Sequence, residues 1–177
     1  MAEAKELVAE KVNTQKLTRF LALVGIAAML PFFIHLQWLT GTLVNAVLIL
    51  ILFFAGRKYA IFACFIPSLM ALAGGLLPAI LLPLIPFIML GNVIYVLAID
   101  GSYNYLRDNF RGYWLGILAG SLAKFSFLYS AAIFLFSLVL KKALPAPIIL
   151  LVSWPQFATA VIGGMIAWIF LRWLKRI

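Results

Sequence analysis

Lys124 is the one cation in the run AGSLAKFSFLYS, residues 119–130, and that run contains no Asp or Glu. An ammonium held among apolar side chains costs about 3 kcal/mol even on gentle insertion scales, so it calls for a counter-charge or a shell of oxygens. The chemistry it offers is capture of a carboxylate or phosphate. Asn45 and Asn92 put amides into equally apolar runs, and Gln156 follows Trp154-Pro155, where the proline frees a main-chain carbonyl. His35, Trp154, Tyr95 and Tyr129 complete the polar or aromatic groups that could touch a small solute. Each has a plainer alternative. A buried amide can bond a neighbouring helix, a His or Trp at the end of an apolar run can sit at a water boundary, and a Tyr can pack in a core.

The elements that must position these groups follow from composition. Of 177 residues, 66% are hydrophobic and only 11% charged, too little charge to cover a soluble protein of this size. Lipid is the expected solvent. Apolar segments fall at roughly 18–36, 41–55, 59–75, 78–99, 113–140 and 148–171, each near the ~20 residues that cross a bilayer core, the second and third being short. The expected fold is all-α, a six-helix membrane domain over 18–177 with a cytoplasmic or interfacial segment at 1–17. Pro78, Pro83 and Pro86 make the division of 59–99 the hardest to draw, and a broken or re-entrant element there must face protein or water. Cys64 is the sole cysteine and reads as packing. No small-x-small cleavage pattern follows the first apolar run, which reads as a retained helix.

Charge sets the orientation. With the N-terminus inside, the cytoplasmic side collects Lys5, Lys11, Lys16, Arg19, Arg57, Lys58, Arg107, Arg111, Arg172, Lys175 and Arg176, and the outside only Lys141 and Lys142. Both termini are therefore expected in the cytoplasm. The net charge of +9 is explained by topology, without a nucleic-acid partner.

Several chemistries are excluded. The chain has no G-x-x-x-x-G-K-[ST] loop for ATP and no G-x-S-x-G nucleophile motif. One His, one Cys and no acid inside the apolar segments give no metal cluster and no carboxylate for an ion gradient to act on. A protein without enzymatic activity or cofactor is expected. Small residues recur at Gly112, Gly116 and Gly120, with Lys124 next in the same row, and at Ala160, Gly163, Gly164 and Ala167. They read as surfaces for close helix packing. A looser row, Ala22, Gly25 and Ala28, runs along the first segment.

The stretches GTLVNAVLIL (41–50), CFIPSLMALAGGLLP (64–78), LPLIPFIMLGNVIYV (82–96) and WPQFATAVIGG (154–164) resemble the substrate-binding S components of energy-coupling factor transporters. The resemblance implies a multi-pass protein of a prokaryotic cell membrane that binds a vitamin, cofactor precursor or similar solute near the outer face. It also implies dependence on a transmembrane scaffold (T) subunit and two cytoplasmic ATPases. Ala22, Gly25 and Ala28 would form the scaffold-docking face, although the family's Ala-x-x-x-Ala row is interrupted here by Ile26. The Met-His start of the nickel and cobalt members is absent, which points to an organic solute. The competing expectation is a homo-oligomeric, channel-like or structural membrane protein in which the glycine rows join subunits and Lys124 lines an anion path.

Overall fold

The structure, a computed structural model, describes residues 2–106, 108–139, 149 and 152–177, and every regular element among them is helical. Helix α1 runs unbroken over Ala2–Phe33, and α2 covers Gln37–Phe54. Two short helices follow, α3 (Arg57–Ala63) and α4 (Ile66–Ala73), then a 3-10 turn at Ala79–Leu84 leading into α5 (Ile85–Leu106). Helix α6 (Asn109–Phe134) ends in a π-helical turn at Leu135–Val139, and α7 is Trp154–Trp173. Among the described residues five stretches are long and apolar enough to cross a membrane: Thr14–Phe33, Gln37–Phe54, Leu81–Leu106, Asn109–Ser137 and Trp154–Trp173.

The expected third segment, 59–75, is two short helices rather than one. Pro67 explains the break: it has no N–H to give the Ala63 carbonyl and its ring crowds that position, so α3 stops at Ala63 and α4 restarts with Pro67 in its first turn. Gly56, at φ +102°, makes the reversal from α2 into α3. Pro86 and Pro155 lie in the first turns of α5 and α7, where a missing N–H costs nothing. The polar stretch expected as a break at 100–112 is mostly helix. Helix α5 continues to Leu106, and the Asp108 carboxylate accepts from the Phe110 and Arg111 N–H groups to cap α6. Lys141 and Lys142 lie outside the described residues.

Packing follows the small residues. Helix α5 lies along α6 and α2 along α7, while α1 rests on α2 and α4. A Cβ placed on Gly116 would come within 2.7 Å of the Ile99 Cα, and one on Gly163 within 2.6 Å of the Thr42 carbonyl oxygen. No side chain fits at either place, so glycine sets the distance between both helix pairs. The row of glycines on α6 and the row on α7 are thus used inside the fold. Helix α1 differs: Ala27 is fully buried, but Ala22 and Gly25 face outward, and Gly25 has no atom within 4 Å of where a Cβ would stand. The outer faces carry large apolar side chains such as Leu115, Leu118 and Leu122, compatible with a lipid surrounding.

Gly116→Leu is expected to destabilise the protein by at least about 1–3 kcal/mol, as overpacking does, because a backbone atom stands in the way. Gly25→Leu is expected to leave the thermal unfolding midpoint unchanged. Unfolding of the two detergent-solubilised variants, followed by static light scattering and tryptophan fluorescence, checks the contrast.

Candidate functional site

The buried apolar side chains form two clusters. The larger joins α1, α2, α3, α5, α6 and α7 through residues such as Leu48, Ile51, Ile99 and Ile117. The smaller gathers Ala71, Leu77, Leu81, Leu84, Leu135, Phe136 and Val152. Where they part lies a cavity of about 290 Å³, bounded by Val44 of the first cluster and by Ala71, Leu77, Leu81 and Val152 of the second. Its polar wall is Gln37, Thr40, Asn45, Ser68, Asn92, Lys124, Gln156 and Thr159.

The register of α5 against α6 places the floor. Gly112 meets Ser102 and Tyr103, Gly116 meets Ile99, and Gly120 meets Tyr95. Gly91 meets Leu128 further along α6, and between these contacts the row places Lys124. This point is roughly 22 Å from the start of α6 at about 1.5 Å per residue. Lys124 is 3% exposed, and its ammonium donates to Asn45 Oδ1 at 2.7 Å. Its Nζ also stands 5.6 Å from the centre of the Tyr95 ring, within cation–π range. Tyr95 is fully buried and held in place by its hydroxyl, which donates to the Ala160 carbonyl at 2.7 Å.

Among the described residues this cation has one amide oxygen and one aromatic face, but no carboxylate. No acid among the described residues lines the cavity. Asp100 pairs with Arg57 at 3.7 Å and Asp108 with Arg111 at 3.4 Å, both at the end of the bundle where α5 stops and α6 starts. An ammonium has three donors, and one is used on Asn45, so two remain for whatever enters the cavity.

Asn92 is 3% exposed and donates through Nδ2 to the Cys64 carbonyl at 3.3 Å. Cys64 lies in the turn between α3 and α4, so the proline break supplies the carbonyl that Asn92 ties to α5. Thr40 closes the turn from α1 into α2 by donating to the Ile34 carbonyl at 2.6 Å, and the Thr159 hydroxyl donates to the Gln156 carbonyl at 3.3 Å. At the rim Trp38 lines the cavity, and Trp154 packs edge-on against it with ring centres 4.9 Å apart.

Of the residues singled out in the sequence, the fold brings Lys124, Asn45, Asn92 and Gln156 into one cavity wall and sets Trp154 against its rim. Asn45 and Asn92 each bond another element, Asn45 to Lys124 of α6 and Asn92 to the turn between α3 and α4, and both also line the cavity. Tyr95 lies beneath Lys124 and outside the lining. His35 is exposed in the three-residue link between α1 and α2, and Tyr129 is 40% exposed beside Phe125; neither lines the cavity. Sequence reasoning missed Gln37, Trp38, Thr40, Ser68 and Thr159. The signal was present for most of them. Residues 37, 38, 41, 44 and 45 share one face of α2, and 155, 156 and 159 one face of α7, so Asn45 and Gln156 pointed to their own neighbours. Among the described residues no three His, Cys, Asp or Glu side chains come together to hold a metal ion.

No family model, no curated protein and no solved structure matches the chain. The functional reading therefore rests on the cavity and on the sequence stretches described above.

Asn45→Ala would leave Lys124 with only the Tyr95 ring, and a loss of about 1–3 kcal/mol in stability is expected. The same change made on top of Lys124→Met is expected to cost much less, since no charge is then stranded. Unfolding of the two single variants and the double variant measures this coupling, and strict additivity would show that the bond carries no weight.

Proposed function

We propose that this chain is a membrane-embedded binding protein for a small anionic organic solute, acting as the substrate-binding subunit of an energy-coupling factor importer. The observation that carries the reading is Lys124: a buried ammonium in the wall of a 290 Å³ cavity, with no carboxylate among the described residues that line it. A ligand carboxylate or phosphate supplies the missing charge, and the aliphatic part of the cavity takes the rest of the solute. Breaking off one partner of a buried charge is costly, so the site favours a ligand that brings that partner with it.

On this reading α3 and α4 together form the sixth crossing and both termini are cytoplasmic. The cavity then opens outward, because it lies where α1 ends and where α2, α5 and α7 begin. The solute is a vitamin, a cofactor precursor or a comparable molecule. Uptake is driven by two ATPases through a transmembrane scaffold subunit, and the outward Ala22, Gly25 and Ala28 side of α1 is the docking face. Helix α1 suits that role because only 17% of its apolar window is buried within the chain. The glycine rows that would join subunits of a homo-oligomeric channel are taken up by packing inside the fold, so they no longer speak for that alternative.

Protein purified under mild conditions is expected to carry its solute. Mass spectrometry of the released small molecule should show an acid, and Lys124→Met should release at least tenfold less while remaining folded and monodisperse. A cationic or neutral solute, or full occupancy of Lys124→Met, contradicts the proposal. Orientation is checked separately: Tyr105→Cys should react with an impermeant thiol reagent only from the cytoplasmic face and His35→Cys only from the outer face.

A further inference from the structure

The two asparagines in the cavity wall are fixed in orientation by their partners. A lysine ammonium only donates, so the Asn45 atom facing it is the carbonyl oxygen; a main-chain carbonyl only accepts, so the Asn92 atom facing Cys64 is the amide nitrogen. The opposite atom of each amide is thereby assigned. Asn45 is left with its Nδ2 donors, and Asn92 with its Oδ1 acceptor. Neither atom has a hydrogen-bond partner among the described residues. Neither is sealed in, either, since among the described residues the fully enclosed side-chain polar atoms without a partner are Trp114 Nε1 and Ser121 Oγ. Asn45 and Asn92 are 2% and 3% exposed and both line the cavity, so what surface they keep faces its interior.

The floor of the cavity is therefore two-sided. On one side Lys124 and Asn45 present donors only. On the other, one turn of α5 from the Tyr95 ring that lies 5.6 Å from Lys124 Nζ, Asn92 presents an acceptor to the same cavity. A plain carboxylate satisfies the first side and gives the Asn92 oxygen no donor, and a largely buried acceptor left without one is costly. Worse, a carboxylate oxygen against Asn92 Oδ1 would set two acceptors face to face.

We infer that the ligand carries a hydrogen-bond donor, an O–H or N–H, one or two bonds from its anionic group, as a 2-hydroxycarboxylate does. The anion sits between Lys124 and Asn45 and the neighbouring O–H or N–H donates to Asn92 Oδ1. The remainder is apolar and extends past Ala71 toward Leu77, Leu81 and Val152. This rests on the anion-binding reading above and adds a rule of selection to it: a site that hydrogen-bonds a ligand hydroxyl discriminates against the analogue without it.

The test uses the purified full chain, freed of any carried solute, and two probe acids that differ by one hydroxyl, indole-3-lactate and indole-3-propionate. Dissociation constants are measured by titration calorimetry for the wild type, Asn92→Leu and Lys124→Met. The wild type should bind the hydroxy acid about tenfold more tightly, the value of one good hydrogen bond. Asn92→Leu should close that gap, and Lys124→Met should abolish binding of both acids. Equal affinities in the wild type, or a gap that survives Asn92→Leu, overturn the paired-group inference and leave the anion site standing. If the wild type binds neither acid, or Lys124→Met binds both as well as the wild type does, the anion site fails and this inference fails with it. Should Asn92→Leu not fold, the wild-type comparison alone decides.

Discussion

The hydrogen bond from Lys124 to Asn45, 2.7 Å long and set in the cavity wall, is the contact around which the rest of the molecule is arranged. A lysine there must be given oxygen or aromatic partners in fixed positions, and those partners sit on different helices. Asn45 comes from α2 and Tyr95 from α5. Glycine keeps the neighbouring helices close, Gly120 of α6 against Tyr95 and Gly163 of α7 against the Asn45 Cβ. Tyr95 in turn anchors α5 to α7 through the Ala160 carbonyl. Four helices are thus tied to one charge.

The cavity above that charge owes its shape to prolines. Pro67 ends α3 early, and the Cys64 carbonyl in the resulting turn takes the Asn92 amide, which would otherwise be free to rotate. Pro83 lies in the 3-10 segment before α5, so this stretch brings Leu81 to the cavity wall without lengthening the long helix. An irregular backbone of this kind is tolerated in an apolar surrounding only where it is buried against protein or lines a cavity, and here it does both. The cavity and the break in the helix are two aspects of one arrangement.

How much of this was legible in the sequence depends on which force wrote it. Hydropathy reports contact with lipid, so it located the apolar segments well but not the helix ends: α5 runs on through the polar residues Ser102, Tyr103 and Asn104, and α1 extends back to Ala2, because a helix does not stop where hydrocarbon stops. The row Gly112, Gly116, Gly120, Lys124 was legible because sterics and charge both demand a facing helix, and Asn45, Asn92 and Gln156 were legible because an amide in an apolar run must find a partner. His35 and Tyr129 show the limit. Whether a polar residue at the end of a helix turns toward a cavity or away from it is set by helix rotation, and rotation depends on packing between elements distant in the chain. The same applies to Ser68, which becomes a wall residue only through the break beside Pro67.

The most direct measurement of the central claim, that the charge on Lys124 is completed by the solute, is an experimental structure of the protein purified with its solute still bound. The account predicts density in the cavity with an acidic oxygen at about 2.7–3.2 Å from Lys124 Nζ and the Lys124–Asn45 bond retained. A solute seated elsewhere, or one that turns a neutral or cationic group toward Lys124, would contradict it.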